Sequence, residues 1–343
     1  MKGKIVLFPY YLTLKIRNSL YDNKLLKSYS PTIPTVGIGN VNVGGTGKTP
    51  LTDYIVDYLE KSRKVAILSR GYKSSNRKFK EVEATDTAKE VGDEPLQLKS
   101  HHPDSLVAID RNKTRGLKTL EQLDDERRPD IIVIDDVLQH RKITPTKTIV
   151  TIDYSNPIFE DDLLPLGTLR DLPEQIRRAD AIVITKCPDY LDEWEREKIL
   201  KANHIGKKTP VFFSTLSYGN SKAVFPDKGD NRYIYSKEAL AVTGIAKSKP
   251  LIMSLTDRYD RVYHIKYRDH HNFSRLNIKK VSRFARKHLT AAIVTTEKDA
   301  QRLKTNKFLK KACDIQARIF YIPVSLRFLT LEEDAAFKKI ISE

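Results

Sequence analysis

The chain has little of what marks a disulfide-stapled or zinc-organised protein: only two cysteines, Cys187 and Cys313, stand in 343 residues. They lie far apart, with no Cys or His of zinc-ligand spacing beside them, so neither a disulfide scaffold nor a structural zinc site is expected, and a reducing compartment fits. Long apolar runs are missing too. The run at the N-terminus, Ile5 to Leu14, is ten residues, about half of the roughly 20 that a membrane-spanning helix needs, and no small-residue cleavage site follows it. It is expected neither to span a bilayer nor to serve as a secretion signal. Acidic residues are short relative to basic ones, 44 against 61, for a formal charge of +17. That surplus favours an anionic partner, but charge alone does not choose among nucleic acid, an acidic membrane surface and phosphorylated substrates. Internal repeats and low-complexity tracts are also absent.

What is present is enough apolar material, 40% of the residues, for a sizeable core and a length that suggests two domains. Residues 1–30 alternate Leu7, Phe8, Tyr11, Leu12, Leu14, Ile16, Leu20, Leu25 and Leu26 with Lys2, Lys4, Lys15, Arg17, Lys24 and Lys27, and Asp22 is the one acid. Such a basic amphipathic segment can lie among lipid headgroups, although a helix packed on its own domain has the same pattern. After residue 30, apolar runs at 33–39, 64–69, 105–109, 130–135, 147–153, 180–185 and 210–216 alternate with helical patterns near 49–61, 87–101, 111–122, 172–179 and 190–203. Continuous apolar strands alternating with helices predict an α/β fold with a mostly parallel sheet covered on both faces, and ligands in such sheets sit at the carboxyl ends of the strands. The polar, turn-rich stretch 217–233 is expected to connect this first domain, 31–216, to a smaller α/β domain, 234–343.

At 39–50 the sequence reads GNVNVGGTGKTP. A phosphate-binding loop has Gly, four residues, then Gly-Lys-Ser/Thr. Gly47, Lys48 and Thr49 fill the last three places, and Asn42 stands where the first glycine is usual. Gly44, Gly45, Thr46 and Gly47 let successive backbone N–H groups turn toward a phosphate, with the positive end of the next helix behind them. Lys48 is placed to reach the β- and γ-phosphates, and the Thr49 hydroxyl to ligate Mg²⁺. Asp135 and Asp136, after the apolar run Ile131 to Ile134, supply carboxylates that could hold or orient the metal and its waters. Loop and acids together predict a nucleoside triphosphate and Mg²⁺ site of the P-loop NTPase type; they name neither the base nor the acceptor.

With those residues in place, the chain resembles the tetraacyldisaccharide 4'-kinase family of lipid A biosynthesis in Gram-negative bacteria. The resemblance runs through RNSLYD (17–22), VGIGNVNVGGTGKTP (36–50), LSRGY (68–72), VGDEP (91–95), DDVLQHR (135–141), LLPLGTLRD (163–171), ADAIVITK (179–186), VTGIA (242–246), RDHHNFS (268–274) and TTEKDAQRL (295–303). Asn42 is in keeping with the family, which usually lacks the first glycine; Val137 replaces its usual small residue and Asp171 its frequent Glu. The resemblance implies transfer of the γ-phosphoryl group of ATP to the 4'-hydroxyl of a tetraacylated, 1-phosphorylated glucosamine disaccharide at the cytoplasmic face of the inner membrane, giving lipid IVA. It also implies Asp93 as the base and His270 as its partner, with His271 the alternative and Asp269 orienting the imidazole. Such a reaction depends on positioning, charge neutralisation and a proton acceptor.

Arg70, Arg170 and His140 are candidates for phosphate contacts, since a guanidinium forks onto two phosphate oxygens and an imidazole donates one hydrogen bond. TTEKDA has no evident chemistry in its spacing and is expected to secure the second domain. A P-loop switch that hydrolyses ATP without a lipid acceptor is the competing reading, and the Asp93 and His270 motifs argue against it. No nucleic-acid module is recognisable, and the scattered lysines do not make one.

Overall fold

The computed structural model describes residues 7–343. The first residues of the predicted N-terminal amphipathic segment lie outside them. Among the described residues fourteen strands build two sheets: β1 (Thr35–Gly39), β2 (Val65–Ser69), β3 (Lys80–Glu81), β4 (Leu106–Ile109), β5 (Ile131–Ile134), β6 (Lys147–Asp153), β7 (Ala181–Thr185), β8 (Val211–Tyr218), β9 (Lys222–Ala223), β10 (Glu238–Thr243), β11 (Arg261–Lys266), β12 (Ala292–Thr296), β13 (Ile319–Ile322) and β14 (Val324–Phe328). The larger sheet has nine strands in the order β14-β8-β7-β6-β1-β5-β2-β4-β3. Its seven central strands pair in parallel, and only β3 and β14 at the edges run antiparallel.

The fully buried runs Ile131–Ile134 and Ala181–Thr185 explain why periodicity reads them as strands: both faces are covered. On one face Leu51, Ile55 and Leu59 of the helix Lys48–Leu59 meet Phe337 and Ile341 of the C-terminal helix. On the other, Leu117 and Leu120 pack with Val137 and Ile143 beneath β2 and β5. Gly39 at the end of β1 permits a close approach, because a Cβ there would stand 2.5 Å from the Leu138 Cβ. A larger residue would push away the loop that carries Asp135 and Asp136.

The second sheet, β11-β10-β12-β13-β9, has five strands and its own apolar cluster around Leu240, Ile278, Ile293 and Leu303. Two boundaries differ from expectation. The stretch 217–233 is not a bare connection: β9 within it closes the small sheet against β13. More substantially, residues 324–343 do not belong to the smaller unit. β14 pairs with β8 of the larger sheet, and Phe337 enters the larger core. The five side chains of β14 run intermediate, exposed, buried, exposed, buried, a pattern too short to reveal from sequence which sheet they join.

One predicted helix is broken. The stretch 87–101 divides at Gly92, whose φ of +95° no ordinary residue adopts comfortably, into Ala88–Val91 and Asp93–His101. Asp93 and Glu94 thereby open a helix, where its positive end favours carboxylates.

The N-terminal helix, Phe8–Asp22, packs through Leu14 and Asn18. Asn18 donates to Asp171 at 2.9 Å, and Arg141 bonds Asp22 at 2.6 Å. By the helical period, Phe8, Leu12 and Ile16 fall on the opposite side, and they are 59%, 40% and 52% exposed.

Candidate active site

β1 delivers the chain into the loop Asn40–Gly47 at the centre of the sheet, where connections diverge to either side. Gly44 and Gly47 take φ of +98° and +82°. A Cβ on Gly44 or Gly45 would touch nothing within 4 Å, so both backbones face open space rather than protein. The turn is braced from below: Asn40 donates to Thr46 Oγ1 at 2.8 Å, Thr46 Oγ1 meets Thr151 Oγ1 at 2.8 Å, and Thr185 donates to the Thr46 carbonyl at 2.8 Å. Asn42 has a reason for replacing glycine. Its amide bonds Asp161 Oδ2 at 3.1 Å and Thr168 at 3.2 Å, and Arg170 N donates to Val41 O at 2.9 Å, so the segment 161–170 buttresses the loop.

Lys48 Nζ lies 3.1 Å from Asn40 Oδ1 and 3.5 Å from Asp136 Oδ1. Arg170 forks onto Asp136, donating through Nη1 to Oδ2 at 2.9 Å, and also reaches Asn40. Asp136 has a φ of +55°, and Lys113, fully buried, holds that turn by donating to the Asp135 and Asp136 carbonyls. Burial would raise Asp136, but Lys48, Arg170 and Lys113 outweigh it and hold the carboxyl far below its usual range. Asp135 goes the other way: burial, then Glu94 and Asp136, lift it to about 6. Its Oδ1 is buried without a hydrogen-bond partner. An orphaned carboxylate oxygen under the charge of two other acids, one of them the Glu94 that Thr49 reaches, is a donor set suited to a divalent cation, and Mg²⁺ commonly takes one or two carboxylates with phosphate and water.

Thr49 Oγ1 is 3.4 Å from Glu94 Oε1, and Lys298 from the smaller unit pairs with that same carboxylate. One residue before Glu94, Asp93 Oδ2 lies 3.2 Å from His270 Nδ1 and bonds Arg302. Arg302 also reaches Asp299 at 2.8 Å and His270 Nδ1 at 3.0 Å. Burial acts to raise Asp93; His270, Arg302 and Lys298 together reverse this and leave its carboxyl well below the ordinary range. The pair expected from GDEP and DHH is therefore side by side, one member from each unit. His270 is fixed by its amide bond to Gly244 O at 2.9 Å, with Tyr72 beside the ring at 5.3 Å between centroids. Asp269 lies 3.9 Å from His270 Nε2. His271 turns elsewhere, stacking on Tyr267 and bonding Asn277 at 2.9 Å.

Arg70 is exposed at the end of β2, and its charge acts on His140 and Lys113. Burial, then the cations Lys113, Arg70 and Arg170, push His140 down to about 3, so it is a neutral imidazole. Sequence reasoning missed Glu94, Lys113, Lys298 and Arg302. The last two were within sight: four apart on the helix Glu297–Lys304, they share a face. Lys186 was missed as well; it bonds the Gly45 carbonyl and Asp153, which Lys247 of the smaller unit also reaches at 3.0 Å.

A strand, a Gly-Lys-Thr turn and a helix, with buried acids at the end of the neighbouring parallel strand, make this a P-loop nucleotide-binding protein, and the carboxylate beside Thr49 gives it the layout of a phosphotransferase. Comparison narrows the class. A profile described as tetraacyldisaccharide-1-P 4'-kinase matches residues 4–343, and the chain belongs to that family. Proteins named tetraacyldisaccharide 4'-kinase match it nearly end to end. That of Parabacteroides distasonis is 36% identical over 97% of this chain and 91% of its own. That of Flavobacterium johnsoniae is 33% identical over 96% and 94%. Among solved structures, the LpxK of Aquifex aeolicus, crystallised in an "apo" form in complex with ATP, covers 98% of both chains at a TM-score of 0.73 and 24% identity, a likeness of fold.

Proposed function

We propose that the chain transfers the γ-phosphoryl group of ATP to the 4'-hydroxyl of a tetraacylated, 1-phosphorylated glucosamine disaccharide. The observation that carries this reading is the contact between Thr49 and Glu94, which sets Asp93 beside the phosphate loop while His270 and Arg302 face it from the other unit. The open backbones of Gly44 and Gly45, with the turn at Gly47 and with Thr46 and Thr49, cradle the triphosphate, and Lys48 neutralises its outer end. Thr49, Asp135 and Asp136 are the residues that would hold Mg²⁺, which would supply charge neutralisation on the phosphate oxygens. Asp93 accepts the proton of the sugar hydroxyl at Oδ2, and His270 and Arg302 keep that carboxylate aimed. Arg170, bonded to Asp136 and Asn40, positions the acid and loop from behind and retains a buried Nε without a partner.

The largest part of the acceptor needs a surface near the site, and one cleft reaches Lys113, which holds the Asp135–Asp136 turn, without sharing Asp93 or His270. A cleft of about 910 Å³ runs between the N-terminal helix and the loop after β5, lined by Arg17, Tyr21, Tyr29, Arg111, Arg141 and His140 among others. Cations and aromatic rings suit a phosphorylated sugar. Among the described residues no helix is long and apolar enough to cross a membrane. The exposed Phe8, Leu12 and Ile16, with Lys15 and Arg17 beside them, instead suit peripheral attachment to the cytoplasmic face of the inner membrane.

The direct test is transfer of labelled γ-phosphate from Mg-ATP to purified tetraacyl disaccharide 1-phosphate in detergent micelles. Labelled lipid is expected; ATP hydrolysis with no labelled lipid would favour a switch protein instead. A second expectation concerns the membrane. Replacing Phe8, Leu12 and Ile16 by Ser removes three side chains worth about 1.5–3 kcal/mol each when fully buried in lipid. Partitioning to anionic vesicles in flotation assays should fall by more than about tenfold. Unchanged flotation would leave that helix with a packing role alone.

A further inference from the structure

Between the two units, a histidine joins three helices at once. His101 ends the helix Asp93–His101. Its Nδ1 lies 2.6 Å from Asp53 Oδ1 on the helix that begins with the phosphate loop's Lys48, and its Nε2 lies 2.7 Å from Glu297 Oε1, the first residue of the helix Glu297–Lys304. Both partners are carboxylate oxygens, which only accept. Each ring nitrogen must then carry a proton, because a bare nitrogen lone pair at that distance would repel its carboxylate. The geometry thus calls for an imidazolium. Glu297 is held from the same side by Gln97, at 3.0 Å, and Gln301 approaches Ser100 at 3.4 Å.

We propose that His101 is a positioning residue for phosphoryl transfer: bridging Asp53 and Glu297, it fixes the helix Glu297–Lys304 in the register that sets Arg302 on Asp93 and Lys298 on Glu94. The inference rests on the kinase reading, since its consequence is the placement of the base. Glu297, Lys298 and Arg302 occupy one short helix. Any slip at Glu297 is carried to the two cations that aim Asp93 and Glu94. Asp53 belongs to the same helix as Thr49, so the bridge also ties that register to the phosphate loop.

The charged groups around the bridge are Asp53 and Glu60 from the helix Lys48–Leu59 and its cap, Glu297 from the smaller unit with Lys304 acting on it, and His102 on its own segment. His102 repeats the pattern, with Nε2 2.9 Å from Asp53 Oδ1 and Nδ1 2.9 Å from Glu60 Oε1. Burial alone would lower His101, but the bonds to Asp53 and Glu297 overcome it and raise it to about 10. Since the folded value lies above the ordinary 6.5, the bridge is fully present below that pH and is lost as pH rises through about 10.

The test uses the full chain with ¹⁵N-labelled histidine. Long-range ¹⁵N–¹H spectra should show His101 protonated on both nitrogens at about pH 8, where an ordinary histidine is neutral. A neutral tautomer there would overturn the proposal. In kinetics, His101→Gln, which cannot bridge two acceptors as a cation, should lower kcat about tenfold or more with KM for ATP within about threefold. His101→Arg should recover kcat to within about threefold, because a guanidinium can donate to both carboxylates, and it should flatten the fall of kcat above about pH 9. Unchanged kcat in His101→Gln overturns the proposal. If that variant does not fold, Glu297→Gln decides: a lower kcat and a lowered His101 titration support the bridge, and wild-type values for both reject it. A wild type that labels no disaccharide would defeat the kinase reading alone, and the spectra would still uphold or reject the imidazolium bridge.

Discussion

Asp93→Asn is expected to lower kcat by about 10²- to 10⁴-fold, the usual contribution of a positioned general base, with ATP affinity little changed. The substitution keeps the size of the side chain and removes its charge. The present geometry predicts the separation of effects: Asp93 touches His270 and Arg302, whereas Thr49 and Lys48 make their contacts with Glu94, Asn40 and Asp136. A carboxyl held so far down is ionised throughout the neutral range, but it is also a weak proton acceptor. It takes the hydroxyl proton only late, as the new O–P bond forms, which suits a loose transition state in which the nucleophile needs little early deprotonation. The sign of the pH effect follows. A depressed carboxyl contributes stability above its unfolded value of 3.8 that disappears as pH falls through the lower folded value. Asp93 itself should therefore impose no acid limb on activity between about pH 5 and 8. Arg302 keeps Asp299 at 2.8 Å in the variant, so the fold should survive at a cost of about 3 kcal/mol or less, read from urea denaturation. Equilibrium titration with a fluorescent nucleotide separates binding from turnover. Near-normal kcat in Asp93→Asn would remove Asp93 from the role of base.

The parallel core and the phosphate loop were legible because both are local in sequence. An apolar run buried on two faces reads as a strand, and Gly47-Lys48-Thr49 after such a run reads as a phosphate turn, whatever surrounds them. The break at Gly92 was not legible from periodicity, since the apolar pattern continues across it; only the backbone angle separates the two helices. The return of 324–343 to the larger sheet escaped for a different reason. Strand β14 chooses β8 by tertiary packing of Phe328 and Phe337 against Phe212, contacts more than a hundred residues away in the chain. The site divides in the same way. Asp93 and His270 were found through motif resemblance, while Lys298 and Arg302 lay inside a quoted motif whose spacing, read as a linear string, suggested nothing. Folded onto a helix, that spacing places both cations over the Asp93–Glu94 turn. Lys113 could not be foreseen at all: a lysine in a polar helix gives no sign that it will be fully buried against two main-chain carbonyls.

Lys48→Ala should damage both binding and turnover, which distinguishes it from Asp93→Asn. Lys48 is one of the cations that offset the burial of Asp136, and it also draws down the raised Asp135. Removing it leaves Glu94, Asp135 and Asp136 with fewer positive neighbours exactly where a triphosphate adds more negative charge. Loss of one preorganised donor to a developing charge typically costs about 10²- to 10³-fold in kcat. Here ATP affinity should fall at least about tenfold as well, because the same ammonium meets the ground-state phosphates. Lys48→Arg should not restore activity. Arg170 already occupies Asp136 and Asn40 with its fork, and a second planar guanidinium cannot take the place of a compact ammonium between them. The two losses can be read separately from single-turnover transfer at saturating ATP and from nucleotide titration. Retained ATP affinity with kcat within about tenfold of the wild type would mean that the loop GNVNVGGTGKTP does not hold the phosphates. Loss of both, with Asp93→Asn losing turnover alone, would place nucleotide capture on the larger unit and proton acceptance at the seam between the two.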